Sequence, residues 1–417
     1  MTVTILVVDG LGIGAMPDAG ELRPGDVEAD TIGHVAGWSL RERGRPLDVP
    51  HLAALGLAAL RPDLGETVEA GTGDGPTGLP ASLRAMAYRV ALGYPGADTF
   101  AGHQTMMGAD MSHVVLCPLA DRIDAVAAAL WSAGHRVERL DGQALLIVDG
   151  AALVHDNLEA DPGLNWNVSC RLDDLPFEEI VAITRVVRGV APVARVIAVG
   201  GRSDGPLEEF VRDGDFGVVG MDTPASGFYR NGGLEVLHLG APIDHSSQLP
   251  QVAAAHAKQV TLIGKAADIL ECDLPVERRP GVDTADVLRW TLEAQGHADL
   301  VVANVQQTDL AGHQQDVGRY ADLLEQVDRA LVELTAGLSG EDLLVVTGDH
   351  GNDPTIGHGY HTREYVPALV VESRSGTDRG TERSAASAAA DLGSLREVGE
   401  LSAHRLGIDE PGSVRRA

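Results

Sequence analysis

Chemistry-bearing side chains follow several of the short apolar runs in this sequence. The pair Asp349-His350 comes directly after the run 343–346, within a glycine-rich turn. Four more acids and imidazoles follow other runs or lie nearby, namely Asp9, Asp309, His313 and His361. Carboxylate oxygens suit hard divalent metals, and imidazole nitrogens suit transition metals. An isolated Asp-His pair is also typical of an ordinary polar loop, but three acids and three imidazoles together predict a metal site.

The number of these ligands indicates two ions. Six ligands are too many for one tetrahedral site and suit two ions held a few ångströms apart. Asp309 and His313 are four residues apart, so on one helical turn their side chains can converge on one ion. A two-metal site clamps the oxygens of an in-line phosphoryl transfer and activates a nucleophile. The ligand set therefore predicts phosphoryl-transfer chemistry.

Thr99 is the candidate nucleophile for that chemistry. The pair Asp98-Thr99 stands at an expected helix start, where free N–H groups and the helix macrodipole favour an anion. Bridging by two cations would make the threonine alkoxide accessible near neutral pH. A hydroxyl that merely caps the helix is the alternative at this position.

The elements that must position these side chains form an α/β fold. Strands alternate with amphipathic segments, which predicts a mostly parallel sheet covered by helices on both faces. Ligands bind beyond the carboxyl ends of such strands, where these acids and imidazoles lie. The pattern of residues 113–235 is instead that of a smaller α+β unit. We expect a discontinuous catalytic core, residues 1–112 and 236–417, with residues 113–235 inserted as a cap or substrate domain.

Composition excludes several classes of function. The 417 residues exceed one compact core, and 44 % of them are hydrophobic, as in an α/β protein. No run of about 18 apolar residues predicts a membrane span, and no signal-peptide pattern precedes the first strand. Three widely spaced cysteines argue against a disulfide framework and fit a reducing cytoplasm. The formal net charge of −29 argues against a nucleic-acid partner.

Several motifs together carry a resemblance to a known family. The sequence resembles the phosphopentomutases of the alkaline phosphatase superfamily over the whole expected core. The motifs that match, in family order, are Asp9-Gly10 with the glycine-rich turn to Gly14, Asp30-Thr31-Ile32-Gly33-His34, Asp98-Thr99 with Gly102-His103, Ile263-Gly264-Lys265 with Asp268-Ile269, Asp349-His350-Gly351-Asn352-Asp353-Pro354 and His361-Thr362-Arg363-Glu364-Tyr365-Val366-Pro367.

The resemblance implies roles for individual residues. Thr99 would carry the phosphate, and one metal, implied to be manganese, would be held by Asp9, Asp349 and His350. The second metal would be held by Asp309, His313 and His361, where His361 is preferred to His358 because it has the family context. Lys265, one of only two lysines in the chain, and Arg195 would bind the sugar phosphate.

The implied reaction interconverts ribose 1-phosphate and ribose 5-phosphate, or their deoxy analogues, through phosphothreonine and a sugar bisphosphate intermediate. The alternatives are a metal-dependent phosphatase or a mutase acting on another sugar phosphate, and a binding relative without turnover. Departures from the family pattern concern Gln104-Thr105, where the family has Trp-Glu, and Gln307, where it has an acid. The spacing from Asp309 to His313 is also one residue shorter.

Overall fold

The computed structural model describes residues 1–68, 79–80, 82–111, 114–140, 142–241, 243–373, 387–388 and 391–408. The chain divides into two compact units. One is formed by residues 1–110 together with the described residues from 244 onward, and the other by residues 111–243. Among the described residues, no helix combines the length and the apolar character needed to cross a bilayer.

The strands alternate with helices along most of the chain. The strands are β1 (Val3–Val8), β2 (Leu83–Val90), β3 (Val137–Arg139), β4 (Leu146–Val148), β5 (Ala152–Asp156), β6 (Asn165–Arg171), β7 (Arg195–Gly201), β8 (Val211–Asp213), β9 (Val219–Met221), β10 (Glu235–Gly240), β11 (Val260–Gly264), β12 (Glu277–Arg279), β13 (Leu300–Val305), β14 (Leu343–Thr347), β15 (Val366–Ser373) and β16 (Ser387–Ala388).

The α-helices are joined in places by short 3-10 and π-helical turns. They are α1 (Ala19–Leu22), α2 (Thr31–Trp38), α3 (Pro50–Leu52), α4 (Ala58–Leu60), α5 (Thr99–Met106), α6 (Ile123–Ser132), α7 (Phe177–Arg188), α8 (Thr223–Ser226), α9 (Leu249–Ala255), α10 (Lys265–Ile269), α11 (Thr284–Gln295), α12 (Gln307–His313), α13 (Val317–Ala336) and α14 (Arg396–Arg405).

The first unit is built on an eight-stranded sheet of order β12-β11-β13-β1-β14-β15-β2-β16. Strands β12, β11, β13, β1 and β14 run parallel to one another, whereas β15 pairs antiparallel with both β14 and β2. Every residue of β1, β13 and β14 is buried, as expected of strands covered on both faces. The prediction of a mostly parallel α/β core is confirmed.

The register of the parallel strands brings their carboxyl ends to one edge of the sheet. Val8 at the end of β1 is paired with Val305 at the end of β13, and Val7 is paired with Thr347 at the end of β14. Gly264 at the end of β11 is paired with Asn304. Because β15 is antiparallel, the segment that precedes it also lies at this edge. Side chains that follow β1, β11, β13 and β14, or precede β15, are therefore brought together.

The inserted unit has its own six-stranded sheet, of order β10-β7-β6-β5-β4-β3, in which only β6 and β7 are parallel. Helices α6 and α7 contribute to the same apolar cluster as these strands. Trp166 is fully buried in this cluster, and its indole N–H donates to Cys117 O at 2.9 Å. The prediction of an inserted α+β unit is confirmed.

The ends of the insert differ from the expected positions 113 and 235. Strand β10 pairs antiparallel with β7 from Glu235 to Gly240, so residues placed in the core by sequence belong to the sheet of the insert. The second unit accordingly extends to residue 243. The sequence also predicts a glycine-rich loop at 66–80 and a polar connector at 372–384, and both lie mostly outside the described residues.

Candidate metal centre

The six predicted ligands meet at the edge where the parallel strands end. Asp9 follows β1, and Asp349-His350 follows β14. Asp309 and His313 lie on α12, which begins directly after β13. His361 precedes β15 and reaches the same edge because that strand is antiparallel. Helix α5 supplies Thr99, its first residue.

One cluster is formed by Asp9, Asp349 and His350, all fully buried. His350 Nε2 lies 3.4 Å from Asp9 Oδ1 and 3.5 Å from Asp349 Oδ2. Asp9 Oδ1 and His350 Nε2 are buried and have no hydrogen-bond partner within the chain. Buried polar atoms without partners are costly, so these two atoms are arranged for an external ligand such as a cation.

The second cluster is formed by Asp309, His313 and His361. His361 Nε2 lies 3.3 Å from Asp309 Oδ1, and His313 Nε2 lies 3.4 Å from Asp309 Oδ2. The two Nε2 atoms lie 3.1 Å apart. Asp309, His350 and His361 also form a group close enough to hold one ion, so His350 is in reach of both clusters.

The tautomers of the three histidines are fixed by backbone carbonyls. The Nδ1 atoms of His350, His361 and His313 lie 3.0, 2.9 and 2.6 Å from carbonyl oxygens of Gly351, Ala97 and Gly359, respectively. A carbonyl only accepts, so each Nδ1 carries the proton. Each Nε2 therefore directs a lone pair at the cluster, as in metal-binding histidines. The residues fit divalent cations.

The electrostatics of the site also favour cations. Burial alone would raise the pKa of Asp349, but His350, His103 and Lys265 hold it well below its usual range. Burial alone would lower the pKa of His350, yet the Asp349 and Asp9 carboxylates raise it to about 10. A proton and a metal ion compete for one imidazole lone pair, so the field that retains this proton also attracts a divalent cation.

Thr99 faces the first cluster from the start of α5. Asp98 caps this helix, since its Oδ1 accepts from Ala101 N at 2.9 Å, which leaves the Thr99 hydroxyl for other contacts. That hydroxyl donates to Asp349 Oδ2 at 2.7 Å. Gly102 permits the approach, because a Cβ there would lie 2.6 Å from Asp349 O.

Lys265, the first residue of α10, lies close to Thr99 and to both clusters. Its ammonium lies 2.5 Å from Asp9 Oδ2, 3.5 Å from Asp309 Oδ2 and 3.3 Å from Thr99 Oγ1. Burial would lower the pKa of Lys265, but the Asp9 and Asp309 carboxylates outweigh it and raise the pKa, so the ammonium stays charged. It supplies a fixed positive charge beside the threonine oxygen.

Three supporting residues were not singled out from the sequence. His103 Nδ1 lies 2.8 Å from Thr99 O and 3.2 Å from Asp349 Oδ2. Asn304 donates to Asp9 Oδ2 at 3.1 Å, and its Nδ2 lies 3.1 Å from His103 Nε2. Asn352 Nδ2 donates to Asp309 Oδ1 at 2.8 Å. The sequence offered a signal for Asn304 alone, since this residue is polar and lies inside the apolar strand β13.

Two other predicted or considered residues lie outside the clusters. His358 Nε2 lies 2.8 Å from the buried Asp26 Oδ1, so it fastens the loop that carries His361. Arg195 is the first residue of β7 in the inserted unit, where its Nη1 lies 3.5 Å from His238 Nδ1.

The fold and the two clusters define a metalloenzyme with an alkaline-phosphatase-like core. A family model described as the metalloenzyme superfamily matches residues 1–410. The phosphopentomutase of Symbiobacterium thermophilum is 30 % identical, over 98 % of this chain and 96 % of that protein. The phosphopentomutase of Deinococcus radiodurans is 30 % identical, over 88 % of this chain and 88 % of that protein. The phosphopentomutase of Methylobacterium nodulans is 31 % identical, over 88 % of this chain and 89 % of that protein.

The chain therefore belongs to the metalloenzyme superfamily and, within it, to the phosphopentomutases, which are isomerases of the intramolecular phosphotransferase type. The expected family membership and enzyme class are confirmed. A solved structure of phosphoglycerate mutase from Leishmania mexicana is similar as well, with 13 % identity and a TM-score of 0.48, covering 99 % of this chain and 96 % of that one.

Proposed function

We propose that this protein interconverts ribose 1-phosphate and ribose 5-phosphate, or their deoxy analogues, through a phosphothreonine at Thr99. The observation that carries the proposal is the setting of the Thr99 hydroxyl. It donates to Asp349 Oδ2 at 2.7 Å and lies 3.3 Å from the Lys265 ammonium. A hydroxyl between a proton acceptor and a fixed cation is suited to act as a nucleophile.

Two divalent ions, which we propose to be manganese, would be held by the two clusters. Asp9, Asp349 and His350 would hold one ion, and Asp309, His313 and His361 the other. When bound, such ions neutralise phosphoryl oxygens and lower the cost of a threonine alkoxide. Three ligand carboxylates against two divalent ions and Lys265 leave about two positive charges for a phosphate dianion.

The chain's own groups orient the Thr99 hydroxyl and stabilise negative charge on its oxygen. Asp349 Oδ2 accepts the hydroxyl hydrogen and so fixes the direction of the Thr99 lone pairs. Lys265 stabilises negative charge on Oγ1 when that oxygen is the nucleophile or the leaving group. The N-terminus of α5 adds its positive dipole end at the same oxygen, since Thr99 is the first helical residue.

In the proposed cycle, phosphothreonine 99 transfers its phosphoryl group to a pentose monophosphate and forms a sugar bisphosphate. The other phosphate then returns to Thr99, so the net reaction moves one phosphate within the sugar. The bisphosphate is therefore both intermediate and activator. Water must be excluded from the phosphoenzyme during this exchange. We propose that Arg195, by the family resemblance, contributes to binding the sugar phosphate, and that the enzyme works in the cytoplasm.

One assay separates this reaction from hydrolysis. Phosphorylated, manganese-loaded enzyme is incubated with ribose 5-phosphate, and the products are identified by NMR. Ribose 1-phosphate supports the mutase, whereas free ribose with inorganic phosphate identifies a phosphatase and refutes the proposal.

The variant Thr99→Ala tests the nucleophile in the same assay. We expect it to lose phosphoryl transfer and the phosphothreonine mass, while it binds manganese as tightly as the wild type. Mutase activity that persists in this variant would exclude Thr99 as the phosphate carrier.

A further inference from the structure

A chain of two buried amides lies beside the helix that carries Thr99. Gln104 is on α5, five residues after Thr99, and only 3 % of it is exposed; Gln248 is fully buried. Gln104 Nε2 donates to Ile269 O at 2.8 Å, and Gln104 Oε1 accepts from Gln248 Nε2. The side chain of Gln104 thus connects α5 to two other segments of the core.

The hydrogen bond from Gln104 reaches the end of the helix that begins with Lys265. Ile269 is the last residue of α10, and Lys265 is the first residue of the same helix. Carbonyls in the last turn of a helix have no partner within that helix. The bond from Gln104 satisfies one of them and fastens the end of α10 to α5. Both helices are short, so this bond joins them within two turns of their first residues.

The first residues of these two helices are the reacting pair of the proposed mechanism. Thr99 begins α5, Lys265 begins α10, and Lys265 Nζ lies 3.3 Å from Thr99 Oγ1. A displacement of about 1 Å in such a contact can reduce a rate about a hundredfold.

We propose that Gln104 is a positioning residue that holds the Lys265 ammonium against the Thr99 hydroxyl, an inference that rests on the proposed role of Thr99. Among the described residues, the side-chain hydrogen bonds of Gln104 go to Ile269 and Gln248 and not to either of these side chains, so Gln104 acts through the backbones of α5 and α10.

The chemistry of the amide is specific at this site. The Ile269 carbonyl only accepts, so the NH₂ of Gln104 must face it, and the Gln104 oxygen must face Gln248. Residue 104 must therefore present a hydrogen-bond donor to Ile269 and an acceptor to Gln248 from the end of one side chain. Methionine has a similar volume and supplies neither. A protonated glutamate supplies both, whereas an ionised glutamate supplies only acceptors.

The test compares Gln104→Met with a matched variant, Gln295→Met. Gln295 also donates across elements, to Thr4 Oγ1 at 3.3 Å, but near the amino end of β1 and away from the site. For Gln104→Met we expect kcat to fall about tenfold or more, with KM for ribose 5-phosphate within about twofold of the wild type. Manganese affinity, measured by calorimetry, should be unchanged. Gln295→Met should keep the wild-type kcat.

A second variant, Gln104→Glu, separates positioning from a general loss of structure. The ratio of its kcat to that of the wild type should rise as the pH is lowered from 8 to 6, because protonation restores the donor to Ile269. A flat ratio, or a Gln104→Met variant with kcat within twofold of the wild type, would overturn the inference.

Release of inorganic phosphate is followed in the same reactions. A wild-type enzyme that hydrolyses instead of isomerising would refute the proposed function, and the effect of Gln104 would then be judged on the rate of hydrolysis.

Discussion

Replacing Lys265 by methionine should destabilise the protein strongly only when divalent metal is withheld. The ammonium is buried and lies 2.5 Å from Asp9 Oδ2 and 3.5 Å from Asp309 Oδ2. Removing one partner of a buried ion pair typically costs about 3–5 kcal/mol, because the other charge is left uncompensated. In chelator we therefore expect Lys265→Met to lower the free energy of unfolding by about 3–5 kcal/mol.

Saturating manganese should reduce this loss to about 1 kcal/mol or less, since bound cations compensate the same carboxylates. The assay is urea unfolding, with and without chelator, followed by tryptophan fluorescence, to which Trp38 and Trp290 contribute. Both of these tryptophans pack against the core of the first unit.

The other lysine provides a matched control for this prediction. Lys258 lies 3.9 Å from Asp299, and both side chains are about a third exposed. Lys258→Met should cost about 1 kcal/mol or less in either condition, as for other surface ion pairs. An equal loss for Lys265→Met with and without manganese, or a loss no larger than that of Lys258→Met, would refute the electrostatic reasoning.

Two further predictions concern the close contact of α5 with Asp349 and the ion pair between His34 and Asp353. Gly102→Ala places a Cβ 2.6 Å from Asp349 O, so the mutase activity should fall about tenfold or more. The control Gly25→Ala, which has open space around the new Cβ, should keep the wild-type rate. Equal rates for the two variants would contradict the close contact at Gly102. His34 Nδ1 lies 2.5 Å from Asp353 Oδ2, a contact that raises the pKa of His34. The stability that His34 adds, relative to His34→Gln, should therefore be fully present below about pH 6.5 and be lost as the pH rises through the higher folded-state pKa. Urea midpoints of both proteins at pH 5.5 and 8.5 measure this difference. A difference of equal size at both pH values would contradict the predicted loss of stability at high pH.

The meeting of most candidate metal ligands at one edge of the sheet was predictable, because polar residues that follow parallel strands lie at the same edge. Strands β1, β13 and β14 are continuous apolar runs, so their ends could be located and the polar residues after them assigned to one edge. The choice of His361 rather than His358 required the family resemblance, since nothing in the local pattern separates the two histidines. The same resemblance led to Lys265, whose contacts with Asp9 and Thr99 join distant parts of the chain.

Features that depend on tertiary contacts could not be predicted. Strand β10 is an edge strand with exposed or half-buried residues, and only its pairing with β7 shows that it belongs to the insert and not to the core in which the sequence placed residue 236 onward. Asp98 and Thr99 were equal candidates for the helix cap. They are separated only by tertiary geometry, since Asp98 Oδ1 accepts from Ala101 N whereas the Thr99 hydroxyl donates to Asp349.

The departure at Gln307 also has a structural account. Gln307 Oε1 accepts from Thr284 N at 2.9 Å, at the start of α11. The side chain therefore satisfies a free N–H group of that helix, a contact between two segments that no local pattern could indicate.

The assembly of the site from distant strand ends has a consequence for synthesis on the ribosome. Asp9 is fully buried in the complete fold beside His350, which follows it by 341 residues in the sequence. At about 5–20 residues per second the ribosome needs about 20–70 s to make that length of chain. Throughout that interval Asp9 has no His350 beside it. The cluster of Asp9, Asp349 and His350 therefore forms only after β14 and the turn behind it have been made.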